Sequence, residues 1–190
     1  GYGETADYTV VIDDGQTCIP LYAAQASQGN YVTDVQLEGL HWTSPNAPAS
    51  GYTDATEYGA HLQSGATSTL TMFGGPAASG YLSAWVDWGN NVFQPIGSLP
   101  VGTGFAQVSF DITPDPDYVG YARLRVAHTD ANVAACDPSD FGSAVDFTLS
   151  VGRNGWPCLP LQGYGTQLGD GFTDLTLEGT PQATHPAFPY

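Results

Sequence analysis

The chain contains part of its own sequence twice. Residues 29–39 recur as residues 169–179, and both copies have a central Thr-Asp and end in Leu-Glu-Gly. A Cys-x-Pro-Leu sequence precedes each copy, at residues 18–21 and 158–161. Because self-similarity at a fixed period marks a repeated domain, the period of about 140 residues predicts more than one copy of the same unit.

The repeat divides the chain into three parts. Residues 2–10 resemble residues 141–149, which lie near the end of the middle part. We therefore predict that residues 1–14 are the closing strand of a preceding or neighbouring copy, that residues 18–151 are one complete copy, and that residues 158–190 are the opening strands of a second, incomplete copy.

Within the middle part, apolar residues alternate with other residues at the period of a β-strand. In residues 81–88 the side chains of Leu82, Ala84, Val86 and Trp88 share one face. Clusters drawn from 24 Gly and 14 Pro separate these runs, as turns separate strands. About eight short strands at this spacing predict an all-β fold, an antiparallel two-sheet β-sandwich of jelly-roll or Ig-like type.

The charge of the chain limits the classes of partner that it is expected to bind. It has 3 Arg and Lys residues together against 19 Asp and Glu, a formal net charge of −16. Such a surface repels phosphate groups, so we expect neither nucleic-acid binding nor docking on anionic lipid. The sequence has no apolar run of the roughly 20 residues that a membrane span needs, so we expect no membrane insertion.

Several segments in order resemble one family. Residues 2–10 resemble the Gly-Glu-Val-Glu-Asp-Tyr motif that closes GEVED domains, and residues 51–56, 85–91 and 122–126 resemble further GEVED segments. The resemblance implies a β-sandwich module of secreted or surface-attached bacterial proteins, so we expect an extracellular or cell-surface location. Two features depart from it: the closing motif at 141–147 has lost its Glu residues, and the loop after Trp88 has lost the carboxylates of a cation-binding turn.

Three cysteines in such a chain suggest one disulfide and one further thiol. Cys18 opens the complete copy and Cys136 lies near its end, whereas Cys158 opens the incomplete copy. We predict a Cys18–Cys136 disulfide, with Cys158 free or bonded to another chain.

Residues suited to catalysis or metal binding are few. The four His residues lack the paired spacing of zinc ligands, and no nucleophile motif is present, so we expect no enzyme activity. Clustered carboxylates favour turns, but they also give weak candidates for binding calcium, the one possible cofactor that the sequence suggests. These candidates are Asp115, Asp117, Asp137 and Asp140.

We expect a structural role, as a subunit of a fibre or surface array that assembles head-to-tail into a homopolymer by strand addition between the terminal segments. The apolar side chains expected to hold subunits together are Tyr8, Val10, Ile12, Phe172, Leu175 and Leu177. The alternative is a carbohydrate-binding or adhesive module of a larger secreted protein. Tyr81 and Trp85, on the face opposite Leu82, are the aromatic residues that such a module could use to stack on sugar, but core packing or a subunit contact is the interpretation we favour for them. A secreted hydrolase is a third, weaker alternative.

Overall fold

The computed structural model describes residues 18, 22–24, 29–44, 51–76, 79–153, 176–177 and 180–181. Regular structure within these residues is entirely strand, and none of them forms a helix long and apolar enough to span a membrane. The strands are β1 (Tyr22–Ala24), β2 (Val32–Leu37), β3 (Leu40–Thr43), β4 (Tyr52–Gln63), β5 (Ser68–Gly74), β6 (Gly80–Asp87), β7 (Phe93–Val101), β8 (Ala106–Ile112), β9 (Gly120–Thr129), β10 (Ser139–Gly152), β11 (Thr176–Leu177) and β12 (Thr180–Pro181).

The larger sheet, called here the first sheet, has the order β1-β10-β9-β6-β7, and β4 also pairs with β10. Strand β10 is 14 residues long and is the centre of this sheet. It runs antiparallel to β9 on one edge, while β1 and β4 occupy successive parts of its other edge. The second sheet is antiparallel, with the order β3-β2-β5-β8.

The core lies between the two sheets. The alternating residues Leu82, Ala84 and Val86 of β6 are fully buried, as their spacing predicts. Leu124 and Phe147 extend the same layer on β9 and β10, and the second sheet contributes Leu70 and Met72 from β5. Trp42 packs edge-on against Phe147, with ring centroids 5.5 Å apart. The prediction of an all-β, two-sheet sandwich is therefore confirmed.

One part of that prediction is wrong, because the first sheet is mixed rather than antiparallel. Strand β1 pairs with β10 in parallel, with Tyr22 opposite Ser139. Strand β4 pairs with β10 in parallel through residues 52–54 and 59–63, with a shift of register between the two stretches. Alternation of apolar residues fixes which face a side chain takes but carries no information on strand direction. A strand as long as β10 offers room for two partners on one edge, and the sequence does not reveal which strands use it.

The hairpin of β2 and β3 has a counterpart in the C-terminal part of the chain. In the first hairpin Gln36 pairs with His41 and Leu37 with Leu40. In the second, β11 and β12 pair Thr176 with Pro181 and Leu177 with Thr180, which is the same register one repeat period later. The turn of the first hairpin is Glu38-Gly39, both with positive φ, as a two-residue hairpin turn requires. The sequence Glu-Gly recurs at residues 178–179.

Candidate functional site

A buried ion pair lies on the outer face of the first sheet. Arg125 on β9 stands directly opposite Asp146 on β10. Its Nε and Nη2 atoms each donate a hydrogen bond of 2.7 Å, to Oδ1 and Oδ2 of Asp146. The two side chains are 1% and 0% exposed. Two parallel charge-assisted hydrogen bonds of this kind fix the orientation of both groups.

The guanidinium is covered by other parts of the chain. Its Nη1 donates to the backbone oxygen of Ala135 at 2.8 Å and lies 3.1 Å from the Cys18 sulfur. The ring of Phe93 packs over the guanidinium carbon with a centroid distance of 4.4 Å, a cation–π contact. Arg125 thus connects the sheet to the loop before β10, to Cys18, which precedes β1, and to β7.

Tyr52, the first residue of β4, also bonds to the buried ion pair of Arg125 and Asp146. Its hydroxyl donates a 3.0 Å hydrogen bond to Oδ2 of Asp146. Burial, reinforced by the negative charge of Asp146, raises the pKa of Tyr52 well above its usual value. The phenol therefore stays protonated and remains a donor to the carboxylate. Because each charged atom is already engaged by the protein, this arrangement suits structural locking rather than proton transfer to a substrate.

A small apolar cluster surrounds this ion pair on the same outer face. It contains Trp85, Ala127, Ala135 and Ala144. Trp85 is only 6% exposed, so its ring packs inside the protein instead of facing solvent. Trp85 is therefore not available for stacking on sugar, because the loop that carries Ala135 packs against it, and its burial agrees with the core-packing interpretation. Tyr81, on the same strand, is partly exposed.

Cys18 and Cys136 form a disulfide in the structure, with 5.1 Å between their Cα atoms. The bond closes a loop with a sequence separation of 118 residues and lies against the guanidinium of Arg125. Cys158 lies outside the described residues, so its free or intermolecular state stays a prediction.

His128 on β9 is a second buried polar group, at the other side of the sheet. Its side chain is fully buried, and its Nδ1 lies 3.4 Å from the backbone oxygen of Tyr31. Its Nε2 has no hydrogen-bond partner within the described part of the chain. A side chain at Gly74 would collide with the ring, since a Cβ there would lie 2.7 Å from Nδ1. Burial lowers the pKa of His128, so the ring is held in its neutral form.

This burial makes stability depend on pH. Because the pKa of His128 is lower folded than unfolded, the unfolded chain binds the extra proton first as the pH falls below about 6.5. We expect this residue alone to reduce the free energy of unfolding by at most about 1.4 kcal/mol per pH unit, until the folded state is also protonated. His128→Phe should flatten that part of the profile in urea unfolding measured from pH 7.5 to 4.5.

Met72→Leu supplies the control for the pH experiment, because Met72 is fully buried in the core and carries no titratable group. Met72→Leu should leave the slope of the pH profile close to that of the unmodified protein. A His128→Phe profile with the same slope as the unmodified protein would contradict a neutral, buried His128.

The calcium candidates make local turn contacts. Oδ1 of Asp115 accepts the backbone N–H of Asp117 at 2.8 Å, and Oδ2 of Asp137 accepts that of Ala134 at 3.4 Å. Among the described residues, which include Asp140, no three potential ligands come together as a metal site. Calcium binding at these positions stays a sequence-based prediction, while the turn interpretation accounts for the bonds observed.

The GEVED resemblance suggests a cation-binding turn in the loop after β6. In the structure, the side chain of Asp87 bonds to the backbone of this loop. Oδ1 of Asp87 accepts the backbone N–H groups of Gly89 and Asn90, each at 3.0 Å. Gly89 and Asn91 both have positive φ, which Gly and Asn tolerate best. The loop therefore keeps a tight turn with a single carboxylate.

Most of the predicted assembly residues cannot be placed. Tyr8, Val10, Ile12, Phe172 and Leu175 lie outside the described residues. Leu177 is described only as a backbone position of β11, where it pairs with Thr180.

The outer face of the second sheet carries a cluster of polar and aromatic side chains that the sequence analysis does not identify. The carboxylate of Asp34 is partly exposed on this face. Its Oδ1 accepts a hydrogen bond of 3.0 Å from Nε2 of Gln36, and its Oδ2 lies 3.1 Å from Nε2 of His41. Two open grooves lie on this face, one of them bordered by Phe73 and Phe105. The only sequence signal for it is the Thr-, Ser- and Gln-rich alternation of β2, β5 and β8, which is also typical of an ordinary solvated face.

Comparison with known proteins gives few matches. No curated protein is significantly similar to this chain. Among solved structures, a CARDB domain from Pyrococcus furiosus, determined in complex with di-metal ions, aligns with a TM-score of 0.36 and 10% identity over 73% of this chain and 99% of that one. A likeness that distant has no bearing on function.

One family model matches part of the chain. The family model described as the GEVED domain matches residues 81–150. This stretch runs from β6 to the end of β10 and contains both Arg125 and Asp146. The resemblance that the sequence motifs indicate is therefore confirmed by a match over residues 81–150.

Proposed function

We propose that the chain is an extracellular structural module, a subunit of a fibre or surface array that assembles head-to-tail by strand addition between subunits. The observation that carries the proposal is the pairing of β10. This strand already has β9 along one edge and both β1 and β4 along the other. The sandwich is thus closed by its own last strand.

A second segment with a similar sequence, predicted to form a strand, would therefore be surplus to this sandwich. Residues 2–10 resemble residues 141–149, which lie within β10. An unaccompanied strand has unpaired backbone groups on both edges and must pair elsewhere. A neighbouring subunit, or a preceding copy in a longer polypeptide, would supply that partner.

The C-terminal part offers the complementary elements. The β11–β12 hairpin has the register of the β2–β3 hairpin, which supports the interpretation of residues 158–190 as the opening strands of another copy. In the complete sandwich the opening strand β1 pairs with the closing strand β10. By the same pairing, residues 158–190 of one subunit would receive residues 1–14 of the next. A head-to-tail contact that does not close on itself gives a filament.

The proposal assigns no catalytic role. The buried charges of Arg125 and Asp146 bond to each other. We expect activity screens against esters, peptides and glycosides to be negative.

The test is whether residues 1–14 hold subunits together. We expect electron microscopy of the full chain to show filaments or arrays, and the chain lacking residues 1–14 to stay folded and unassembled. Val10→Asp should have the same effect, because a charge in an apolar seam is costly to bury. Assembly is measured by sedimentation velocity and folding by circular dichroism.

Thr9→Asp is the matched control. It adds the same charge one residue away, on the opposite face of the strand from Tyr8, Val10 and Ile12. We expect it to assemble. A truncated chain that unfolds would assign residues 1–14 to their own sandwich, and one that still assembles would remove the strand from the mechanism.

A further inference from the structure

Aromatic side chains border a groove at one end of the outer face of the second sheet. Tyr31, Phe73 and Phe105 line this groove, which has a volume of about 480 Å³. The ring of Phe105 is 80% exposed, the most exposed large apolar side chain in the described residues. The volume falls within the roughly 300–1,000 Å³ typical of small-molecule sites. We refer to it as the aromatic groove.

A fixed carboxylate lies beside these rings. Asp34 also lines the aromatic groove, and its two oxygens are held by Nε2 of Gln36 and Nε2 of His41. Each carboxylate oxygen accepts more than one hydrogen bond, so Asp34 keeps acceptor capacity for a ligand while its orientation is set by the protein. Thr33 and Thr43 add hydroxyl groups to the same groove.

The two residues that hold Asp34 line the second groove on this face. That groove has a volume of about 420 Å³ and also includes Thr69 and Thr71. Their hydroxyls bond to partners on β8: Thr69 donates to Asp111, and Thr71 pairs with Ser109, each at 3.0 Å. Asp34, with Gln36 and His41, therefore lies between an aromatic end and a hydroxyl-rich end of one continuous sheet face.

Rings beside fixed polar groups match the chemistry of a sugar. The apolar face of a sugar ring packs on an aromatic ring, and its hydroxyls bond to carboxylate, amide and hydroxyl groups. Among the described residues that line the two grooves there is no Lys or Arg, whereas Asp34 and Glu38 are acidic. With a net charge of −16, the face repels phosphate, sulfate and uronic acid groups.

We infer that the outer face of the second sheet binds a neutral oligosaccharide long enough to reach both grooves. One end of the ligand packs on Phe73 and Phe105, and hydroxyls near its middle bond to Asp34. The residues that line the two grooves all lie between Tyr31 and Phe105 in the sequence, so this inference does not depend on the assembly role.

The experiment is titration calorimetry of the full chain with short soluble oligosaccharides of glucose, xylose and mannose, and with oligogalacturonate as the anionic probe. We expect at least one neutral probe to bind and the anionic probe not to bind. Phe105→Ala should weaken binding about tenfold, since it removes the exposed stacking ring. Asp34→Asn should also weaken it, and thermal melting monitored by circular dichroism establishes that each variant is folded.

Tyr121→Ala is the matched control, because Tyr121 is an aromatic residue on β9 of the other sheet and is 52% exposed. We expect it to bind as the unmodified protein does. The inference is overturned if no neutral probe binds, if oligogalacturonate binds equally well, or if Tyr121→Ala and Phe105→Ala weaken binding alike. It is also overturned if Phe105→Ala abolishes self-association without any sugar present, which would make this face a subunit contact.

Discussion

Asp146→Ala is expected to lower the free energy of unfolding by about 3–5 kcal/mol, the usual cost of removing one partner from a buried ion pair. The substitution leaves the Arg125 guanidinium, 1% exposed, without its carboxylate. It also removes the acceptor of the Tyr52 hydroxyl. Urea unfolding at pH 7, followed by Trp fluorescence, measures the change.

The chain contains its own control for this experiment. Asp117 and Arg153 form an ion pair at 3.9 Å whose side chains are 95% and 62% exposed. Asp117→Ala should change stability by no more than about 1 kcal/mol, since exposed pairs contribute little. Arg125→Met combined with Asp146→Leu should recover part of the loss, because it leaves no buried charge. Equal effects of Asp146→Ala and Asp117→Ala would show that the buried pair does not stabilise the fold.

Removal of the disulfide is expected to have an effect of similar size. Cys18→Ala with Cys136→Ala opens a loop with a sequence separation of 118 residues. In the chain-entropy model a loop of this length corresponds to about 4–5 kcal/mol of stability, lost when the bond is absent. Differential scanning calorimetry without reductant should show a lower melting temperature, and adding reductant should shift the unmodified protein in the same direction.

Cys158→Ala provides the comparison, because it removes a thiol without opening that loop. We expect its melting temperature to match that of the unmodified protein. Non-reducing peptide mapping should recover Cys18 and Cys136 in one linked pair. Recovery of Cys136 linked to Cys158 would show that the bond joins different copies of the repeat.

The sequence is sufficient to predict the inner layer of the sandwich. On β9, Ala122, Leu124 and Val126 alternate with Arg123 and Arg125, and the apolar set is buried in the core. A period of two residues assigns each side chain to one of two faces, whichever strands lie alongside. Burial in the core follows from that assignment alone.

The alternation of apolar residues does not predict which side chains on the outer faces become buried. Arg123 and Arg125 share the outer face, yet only Arg125 is buried, because the loop carrying Ala135 and Cys136 crosses over it. Its partner Asp146 lies 21 residues away and is selected by strand register. The grooves on the second sheet escape prediction for a similar reason, since Asp34 and Phe105 line the same groove only after β2, β5 and β8 align. Long-range register has no local signature in a single sequence.

The parallel pairing of β1 with β10 has a mechanical consequence. The chain enters β1 beside Ser139, at the start of β10, and leaves at Gly152. Across 14 residues these points are separated by roughly 45 Å along the strand. The Cys18–Cys136 bond joins the two chain segments just before β1 and β10. A pull on the two ends therefore passes through the disulfide into β10, and the loop closed by the bond carries none of the extension. The load falls on β10 along its own axis, where its hydrogen bonds to β4 and β9 are sheared together instead of opened one at a time.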